Sequence, residues 1–252
     1  MKKLTSTIYR GVKIWYQWDD LHIGQRIALG KYEPYLTNLI LEKVNKGDVF
    51  VDVGANIGYY SLLAAKKGAR VYAIEPEEKN LAVLEKNVKE NNLEENIKLV
   101  KAGAGEKKGW AEIRKSESNF GAHKLKKGGG KVKIIRLDDL IKEKVNVMKI
   151  DVEGMEAEVV KGAQKLIKKW KPTIFFEYGI NSRNRKLLDF LSNIYGKIFA
   201  IDEYVQFYRL KDIKKLKNFR GNLMVKKNLG WEWGQIKDIQ IKKWIKKLER
   251  YF

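Results

Sequence analysis

Residues Val49–Gly58 read VFVDVGANIG, and this stretch decides the fold. A β-branched apolar run that reaches an acid, Asp52, and is followed by two glycines is typical of a buried parallel strand leading through a tight turn into a helix. A second buried run ends in Glu75, which follows Gly54 at about the 20-residue spacing at which an acid binds ribose hydroxyls in such folds. Together the two segments predict a site for a nucleoside cofactor.

The loop between strand and helix indicates which nucleoside cofactor the site would bind. The dinucleotide fingerprint G-x-G-x-x-G needs a glycine where this chain has Asn56, and no G-x-x-x-x-G-K-[ST] segment occurs. The loop suits a ligand without phosphate, such as S-adenosylmethionine. Asp52 would meet the ammonium of that ligand, and the backbone N–H groups from Gly54 to Gly58 would meet its carboxylate. The alternative interpretation is an ordinary strand–turn–helix whose acid occurs by chance.

The composition excludes several classes of site. The chain of 252 residues suits one domain with terminal additions. It has no cysteine and two histidines, which excludes disulfides, thiolate metal sites, cysteine nucleophiles and histidine-rich metal centres. No apolar run approaches the roughly 18 residues of a membrane span, and the N-terminus has no signal-type apolar core. We therefore expect a soluble, cytoplasmic protein without a transmembrane segment.

The net charge of +21 is unevenly distributed, with most of the excess after Val160. A field of this sign favours an anionic partner, such as RNA or an anionic membrane surface. Residues 228–252 are basic and amphipathic, which predicts a C-terminal helix that docks on the domain or rests at a membrane surface. The alternative is that AT-rich coding supplies the lysines without a specific role.

Strand and helix patterns alternate along the chain, which predicts an α/β fold with a doubly wound, mostly parallel, seven-stranded sheet. We divide the chain into an N-terminal cap and helix over 1–46, a main domain over 47–227 and the C-terminal helix. Residues 103–136 interrupt the alternation and predict a hairpin-like insertion with two short strands around a Gly/Lys-rich tip. The longest helices are predicted over 25–45, 77–91 and 155–169, with a shorter one over 137–144.

Acids at the strand ends are the candidates for the chemistry. Open α/β sheets bind ligands at the carboxyl ends of their strands, beside the point where strand order reverses. Asp151 is the leading substrate-side acid, and Glu153 would orient it or contact the cofactor. His123, on the insertion, is the other candidate base. Glu177 would meet substrate or a divalent ion, but so few acids make a weak ligand set, and we predict metal independence.

At this point the chain resembles the FkbM family of S-adenosylmethionine-dependent methyltransferases. The similarity covers roughly residues 30–200. Its motifs are Tyr32–Pro34, Val51–Tyr60, Ile74–Pro76, Leu137–Leu140 and, most specifically, KIDVEGMEAE at Lys149–Glu158 followed by Lys161–Ala163. The resemblance implies a class I methyltransferase (Rossmann-like) fold, S-adenosyl-L-methionine as cofactor, and O-methylation of hydroxyl groups on sugars or natural products. The glycine-rich segment Ala102–Glu106 departs from the pattern.

Residues and resemblance together predict a methyltransferase that acts on a hydroxyl group of a glycan, glycolipid or small metabolite. The alternative is an RNA methyltransferase that binds nucleic acid through the basic C-terminal region. The predicted catalytic residues are Asp151, His123 and Glu153. The predicted cofactor-binding residues all lie on the loop or at strand ends: Asp52, Gly54, Ala55, Asn56, Gly58, Glu75, Pro76, Ala102, Gly103 and Asp151.

Overall fold

The computed structural model describes residues 3–114, 124–127, 131–178, 182–201, 207–209 and 221–226. In chain order its strands are Leu4–Tyr9 (β1), Val12–Gln17 (β2), Val49–Val53 (β3), Arg70–Glu75 (β4), Ile97–Lys101 (β5), Gly103–Ala104 (β6), Gly109–Arg114 (β7), Lys124–Lys127 (β8), Val132–Ile135 (β9), Val147–Ile150 (β10), Thr173–Tyr178 (β11), Ile198–Ile201 (β12), Phe207–Arg209 (β13) and Gly221–Val225 (β14). The helices are Gly24–Ala28 (α1), Pro34–Lys43 (α2), Tyr59–Lys66 (α3), Glu78–Glu90 (α4), Leu137–Leu140 (α5), Glu156–Gly162 (α6), Gln164–Trp170 (α7) and Ser182–Tyr195 (α8).

The central sheet has the order β13-β12-β14-β11-β10-β3-β4-β5. The strands from β11 to β5 are parallel, whereas β14, β12 and β13 pair antiparallel with their neighbours. This confirms the predicted α/β class with a mostly parallel, doubly wound sheet. The described sheet has eight strands where the sequence predicts seven, and the three-residue strand β13 lies at its edge.

Two apolar layers cover the two faces of the sheet. Alternate residues of β3 point to opposite faces, so Phe50 packs in one layer and Val51 in the other, both fully buried. Helices α2, α3 and α4 cover the first face, and α5 to α8 cover the second. Burial on both faces explains why these strands are continuous apolar runs rather than alternating ones.

The strand order reverses between β3 and β10, and this point sets the position of the site. The two strands are paired in parallel, with Asp52 opposite Lys149. The loops that follow them come so close that a Cβ on Gly54 would lie 1.9 Å from the carbonyl oxygen of Asp151. Gly54 also has a φ of +81°, a conformation that side-chain-bearing residues rarely adopt. Only glycine therefore fits at the switch point.

Three predicted helices are wrong in extent. The helix predicted over 25–45 is two helices, because Glu33 adopts the left-handed conformation and Pro34 then starts α2. The helix predicted over 155–169 is interrupted at Ala163, between α6 and α7. The helix predicted over 137–144 ends at Leu140.

The insertion is larger than a hairpin. Strands β6, β9, β7 and β8 form a second, four-stranded sheet, in which β7 pairs antiparallel with both β8 and β9. Strand β8 falls inside the segment that the sequence assigns to a flexible tip. A short edge strand made of lysines and one leucine has little apolar pattern, which is why sequence reasoning overlooked it.

The ends of the chain are described only in part. The N-terminal segment that the sequence assigns to a cap forms the β1–β2 hairpin, which packs on α3 and α4. The predicted helix over 228–252 lies outside the described residues, and the division at 46 and 227 stays a prediction. Among the described helices, none combines the length and the apolar composition that crossing a membrane requires.

Candidate active site

A cavity of about 380 Å³ opens at the carboxyl ends of the parallel strands. This volume lies within the range of about 300–1,000 Å³ that small-molecule sites occupy. The loop after β3 lines it together with Glu75, Pro76, Asn80, Ala102 and Gly103, and we call this group of residues the cofactor wall after the role that the sequence predicts for it. The polar side chains in the rest of the lining are His22, Arg26, Tyr32, Glu33, Tyr60, Lys149, Asp151, Glu153, Glu177 and Asn222, and we call this group the acceptor wall because the sequence predicts Asp151 on the substrate side.

Glu75, at the end of β4, is the main charged group of the cofactor wall. It is buried, with one oxygen accepting from the backbone N–H of Asn56 at 2.8 Å and the other from that of Glu77 at 2.9 Å. Burial raises the pKa of Glu75 to about 7, although these hydrogen bonds oppose the change. A carboxylate keeps further lone pairs for ligand hydroxyls. Glu75 therefore both fixes the glycine loop and faces the cavity.

The glycine loop is held by its own hydrogen bonds. The N–H groups of Gly54 and Ala55 both donate to the carbonyl of Ile74, and that of Gly58 donates to Ala55. With Asn56 bound to Glu75, these four N–H groups are engaged inside the protein. The predicted contact of the loop amides with a cofactor carboxylate stays a prediction. Their contribution is to shape the cofactor wall.

Asp52 is not among the described residues that line the cavity. Its side chain is buried and accepts a hydrogen bond from the Ser61 hydroxyl at 2.7 Å. The other oxygen, Oδ1, is buried without a hydrogen-bond partner among the described residues. Burial raises the pKa of Asp52, while the nearby Lys149 ammonium lowers it. The predicted contact of Asp52 with a cofactor ammonium stays a prediction.

Asp151 and Lys149 form the centre of the acceptor wall. Asp151 follows β10, and its Oδ2 atom lies 2.9 Å from the Lys149 ammonium. The Lys149 side chain is only 6% exposed, whereas that of Asp151 is 33% exposed. Burial lowers the pKa of Lys149, but Asp151, Asp52 and Glu33 outweigh it, and the pKa lies above its ordinary value. Lys149 is therefore a buried cation that faces three acids.

Glu33 is an acceptor-wall residue that sequence reasoning missed. Its carboxylate accepts from the Tyr60 hydroxyl at 2.7 Å and from the Asn222 amide at 3.2 Å. Its φ of +40° is unusual for a residue with a side chain, and such strain clusters at functional sites. Burial raises the pKa of Glu33, and Lys149 opposes the rise. The available signal was Tyr32-Glu33-Pro34, which carried the family resemblance but received no role.

Three acids approach one another at the rim of the acceptor wall. Carboxylate oxygens of Asp151, Glu153 and Glu177 all lie within 4.8 Å of one another. Burial raises the pKa of Glu177 to about 7, and the charges of Asp151, Glu153 and Glu156 add to this rise. Acidic groups at this spacing can hold a divalent cation, but they are also common without one. Metal independence stays a prediction.

The structure brings most of the predicted site residues together in one cavity. Lining it are Gly54, Ala55, Asn56, Glu75, Pro76, Ala102, Gly103, Asp151 and Glu153. Asp52 and Gly58 are not among the described residues that line it. A Cβ on Gly58 would lie 2.2 Å from the Leu84 side chain, so Gly58 serves the packing of α3 on α4. His123 lies outside the described residues, and its role as a base stays a prediction.

Comparison with known proteins decides the class of this site. The family model described as the methyltransferase FkbM domain matches residues 52–203, more than half of the chain. The chain belongs to the FkbM methyltransferase family. The sequence-based resemblance to this family is thereby confirmed.

One curated relative gives a more specific comparison. The chain is 32% identical over 136 residues to the hexuronic acid methyltransferase AglP of Haloferax volcanii. The aligned part is 52% of this chain and 56% of that protein, so the chain spans little more than half the length of this relative.

Two solved structures have folds similar to that of this chain. Wild-type Trm5b of Pyrococcus abyssi matches with a TM-score of 0.51 and 15% identity over 89% of this chain and 55% of that one. The methyltransferase FkbM of Methylobacillus flagellatus KT matches with a TM-score of 0.47 and 21% identity, over 75% of this chain and 50% of that one. At these identities the first match shows the class I fold alone.

Proposed function

We propose that this FkbM-family protein transfers a methyl group from S-adenosylmethionine to a hydroxyl group of a carbohydrate acceptor. The observation that carries the proposal is that one cavity is lined both by the glycine loop with Glu75 and by the carboxylates of Glu33, Asp151, Glu153 and Glu177. Ionised carboxylates accept hydrogen bonds and do not donate them, so they suit a ligand covered with hydroxyl donors. The similarity to a relative named for hexuronic acid supports a sugar acceptor.

The residues of the cofactor wall fit S-adenosylmethionine. Gly54 keeps the loop clear of Asp151, where a Cβ would lie 1.9 Å from the carbonyl oxygen, and Glu75 offers its carboxylate to ribose hydroxyls. When bound, the cofactor supplies an electrophilic methyl group on a sulfonium ion.

Asp151 is the residue proposed to assist the transfer. Its Oδ2 atom is held by Lys149, which leaves Oδ1 to accept a hydrogen bond from the acceptor hydroxyl and to take its proton as the oxygen gains the methyl group. Asp151 contributes most by holding the hydroxyl group in line with the methyl group, since orientation lowers the barrier of a displacement most. Glu153 and Glu177 flank Asp151 and contact the remaining hydroxyl groups.

Two measurements test this function. Calorimetry with S-adenosylhomocysteine should show micromolar binding, and transfer of tritiated methyl groups should label p-nitrophenyl β-D-glucuronide or p-nitrophenyl β-D-glucoside. Asp151→Asn should lower transfer about 1,000-fold while S-adenosylhomocysteine still binds. Absence of cofactor binding, or labelling of RNA in place of both glycosides, would reject the proposal.

The predicted RNA and membrane partners remain separate proposals. Both depend on the basic region after Val160, most of whose terminal part lies outside the described residues. Among the described residues, the acids of the acceptor wall would repel a phosphate-bearing acceptor. The single carboxylate of a hexuronic acid would be repelled far less than the many phosphates of a nucleic acid, so this favours a carbohydrate acceptor. Compartment likewise stays a prediction.

A further inference from the structure

A buried lysine joins the two halves of the acceptor wall. Lys149 belongs to the most specific segment of the family resemblance, whereas Glu33 comes from the turn before α2, outside the matched residues 52–203. The Lys149 ammonium lies 2.9 Å from Asp151 Oδ2 and 4.8 Å from the centre of the Tyr60 ring. Tyr60 in turn donates to Glu33 at 2.7 Å. The Lys149 ammonium therefore lies where four parts of the chain meet: β10, the neighbouring strand β3, helix α3 and the turn before α2.

The ion pair between Lys149 and Asp151 is not an ordinary surface ion pair. Its side chain is 6% exposed, so removing its charge from water is costly unless several partners compensate. The three acids that affect it, Asp52, Asp151 and Glu33, come from different elements. Of these, Asp151 and Glu33 line the cavity, whereas Asp52 is not among the described residues that line it. The lysine thus compensates charges that point into the cavity.

Glu33 is held in its place against a backbone preference. The residue keeps a left-handed φ of +40°, and both carboxylate oxygens are bonded, one to Tyr60 and one to Asn222. Strain of this kind persists only where the surroundings over-determine it. A second carboxylate is therefore fixed in the acceptor wall by contacts far apart in sequence.

Resting on the proposed function, we propose that Lys149 is the positioning residue of the acceptor site. Its ammonium holds and orients the Asp151 carboxylate in the cavity, beside the Tyr60 ring whose hydroxyl group holds Glu33, so that the two carboxylates bind two hydroxyl groups of one carbohydrate acceptor. Asp151 meets the hydroxyl that is methylated, and Glu33 meets a second one. Lys149 itself touches neither the reacting atoms nor the cofactor wall.

A double-mutant cycle in methyl transfer tests this role. Lys149→Met should lower kcat/KM for the glycoside at least 100-fold, while the Kd for S-adenosylhomocysteine stays within threefold. Lys149→Arg, which keeps the charge, should recover at least tenfold of that loss. Because Lys149 acts through Asp151, the double variant Lys149→Met/Asp151→Asn should be no less active than Asp151→Asn alone. Glu33→Gln should raise KM at least tenfold with a smaller effect on kcat.

Thermal unfolding of the free protein gives a readout that needs no acceptor. Lys149→Met should lower Tm by about 5 °C or more, and adding Asp151→Asn should restore part of the loss, since the partly buried Asp151 carboxylate would otherwise lack its cation. Lys161→Met is the matched control, because Lys161 pairs with Glu106 at the surface and its removal should leave Tm and kcat unchanged.

The outcomes separate the two proposals. A wild-type protein that methylates no glycoside rejects the proposed function, and the Tm cycle still decides whether Lys149 is coupled to Asp151. Failure of the double variant to regain stability overturns the role of Lys149. So does a Lys149→Met variant that keeps wild-type kcat/KM, or a double variant tenfold less active than Asp151→Asn.

Discussion

Glu75→Gln separates cofactor binding from stability. The carboxyl group of Glu75 is buried and has a pKa of about 7 against an ordinary 4.5. At about 1.4 kcal/mol for each pH unit, its ionised form costs the fold about 3 kcal/mol at pH 8. The neutral amide removes this cost but cannot accept from both Asn56 and Glu77, and an unsatisfied buried N–H costs about 1–3 kcal/mol. The two effects nearly cancel, so we expect little change in the free energy of unfolding.

Cofactor affinity should respond very differently. Hydrogen bonds to a charged group contribute about 1.5–3 kcal/mol each, and Glu75→Gln removes the charge that two ribose hydroxyls would share. The expected loss of about 2–4 kcal/mol corresponds to a Kd roughly 30- to 1,000-fold weaker. Calorimetry with S-adenosylhomocysteine at pH 8 measures it, with Glu78→Gln as control on the exposed start of α4. A Kd within threefold of the wild type would refute the reasoning.

Three further predictions concern the glycine loop, pH and metal. Gly54→Ala should lower the free energy of unfolding in urea by about 2–5 kcal/mol, because the new Cβ would clash with the Asp151 carbonyl oxygen. The control Gly47→Ala has a similar φ but open space, and it should cost about 1 kcal/mol. Equal losses in the two variants would show that the clash is not the cause. Because burial raises the pKa of both Glu75 and Glu177 from 4.5 to about 7, the folded protein binds their protons more tightly than the unfolded chain, and stability falls as pH rises between these two values. The free energy of unfolding should therefore rise by about 2 kcal/mol from pH 8 to pH 6, and a fall attributable to these groups would refute this. Methyl transfer should survive EDTA treatment; loss of activity that magnesium restores would assign a cation to the acids beside Asp151.

The parallel core of the fold was predictable because its signals are local. Buried strands such as Val49–Val53 and Thr173–Tyr178 are continuous apolar runs in the sequence itself. The break before α2 also carried a local signal, Pro34, which the sequence-based prediction overlooked. The break at Ala163 was not predictable in the same way, because alanine favours a continuous helix.

The site divides along the same line. Residues at strand ends, such as Glu75 and Asp151, could be placed at one edge because parallel strands bring their carboxyl ends together. Glu33 could not, since its place in the acceptor wall depends on how the N-terminal turn packs against α3. Lys149 looked like one member of a motif, because strand register alone does not say that its neighbours are acids. The roles of Glu33 and Lys149 depend on charged groups that only the folded structure brings together.

The crystal structure with S-adenosylhomocysteine bound tests the central claim most directly. We predict both ribose hydroxyls within hydrogen-bond distance of the Glu75 carboxylate, and the sulfur atom facing Asp151 across the cavity. A ligand whose ribose lies away from Glu75, or whose sulfur faces away from the acceptor wall, would contradict the account.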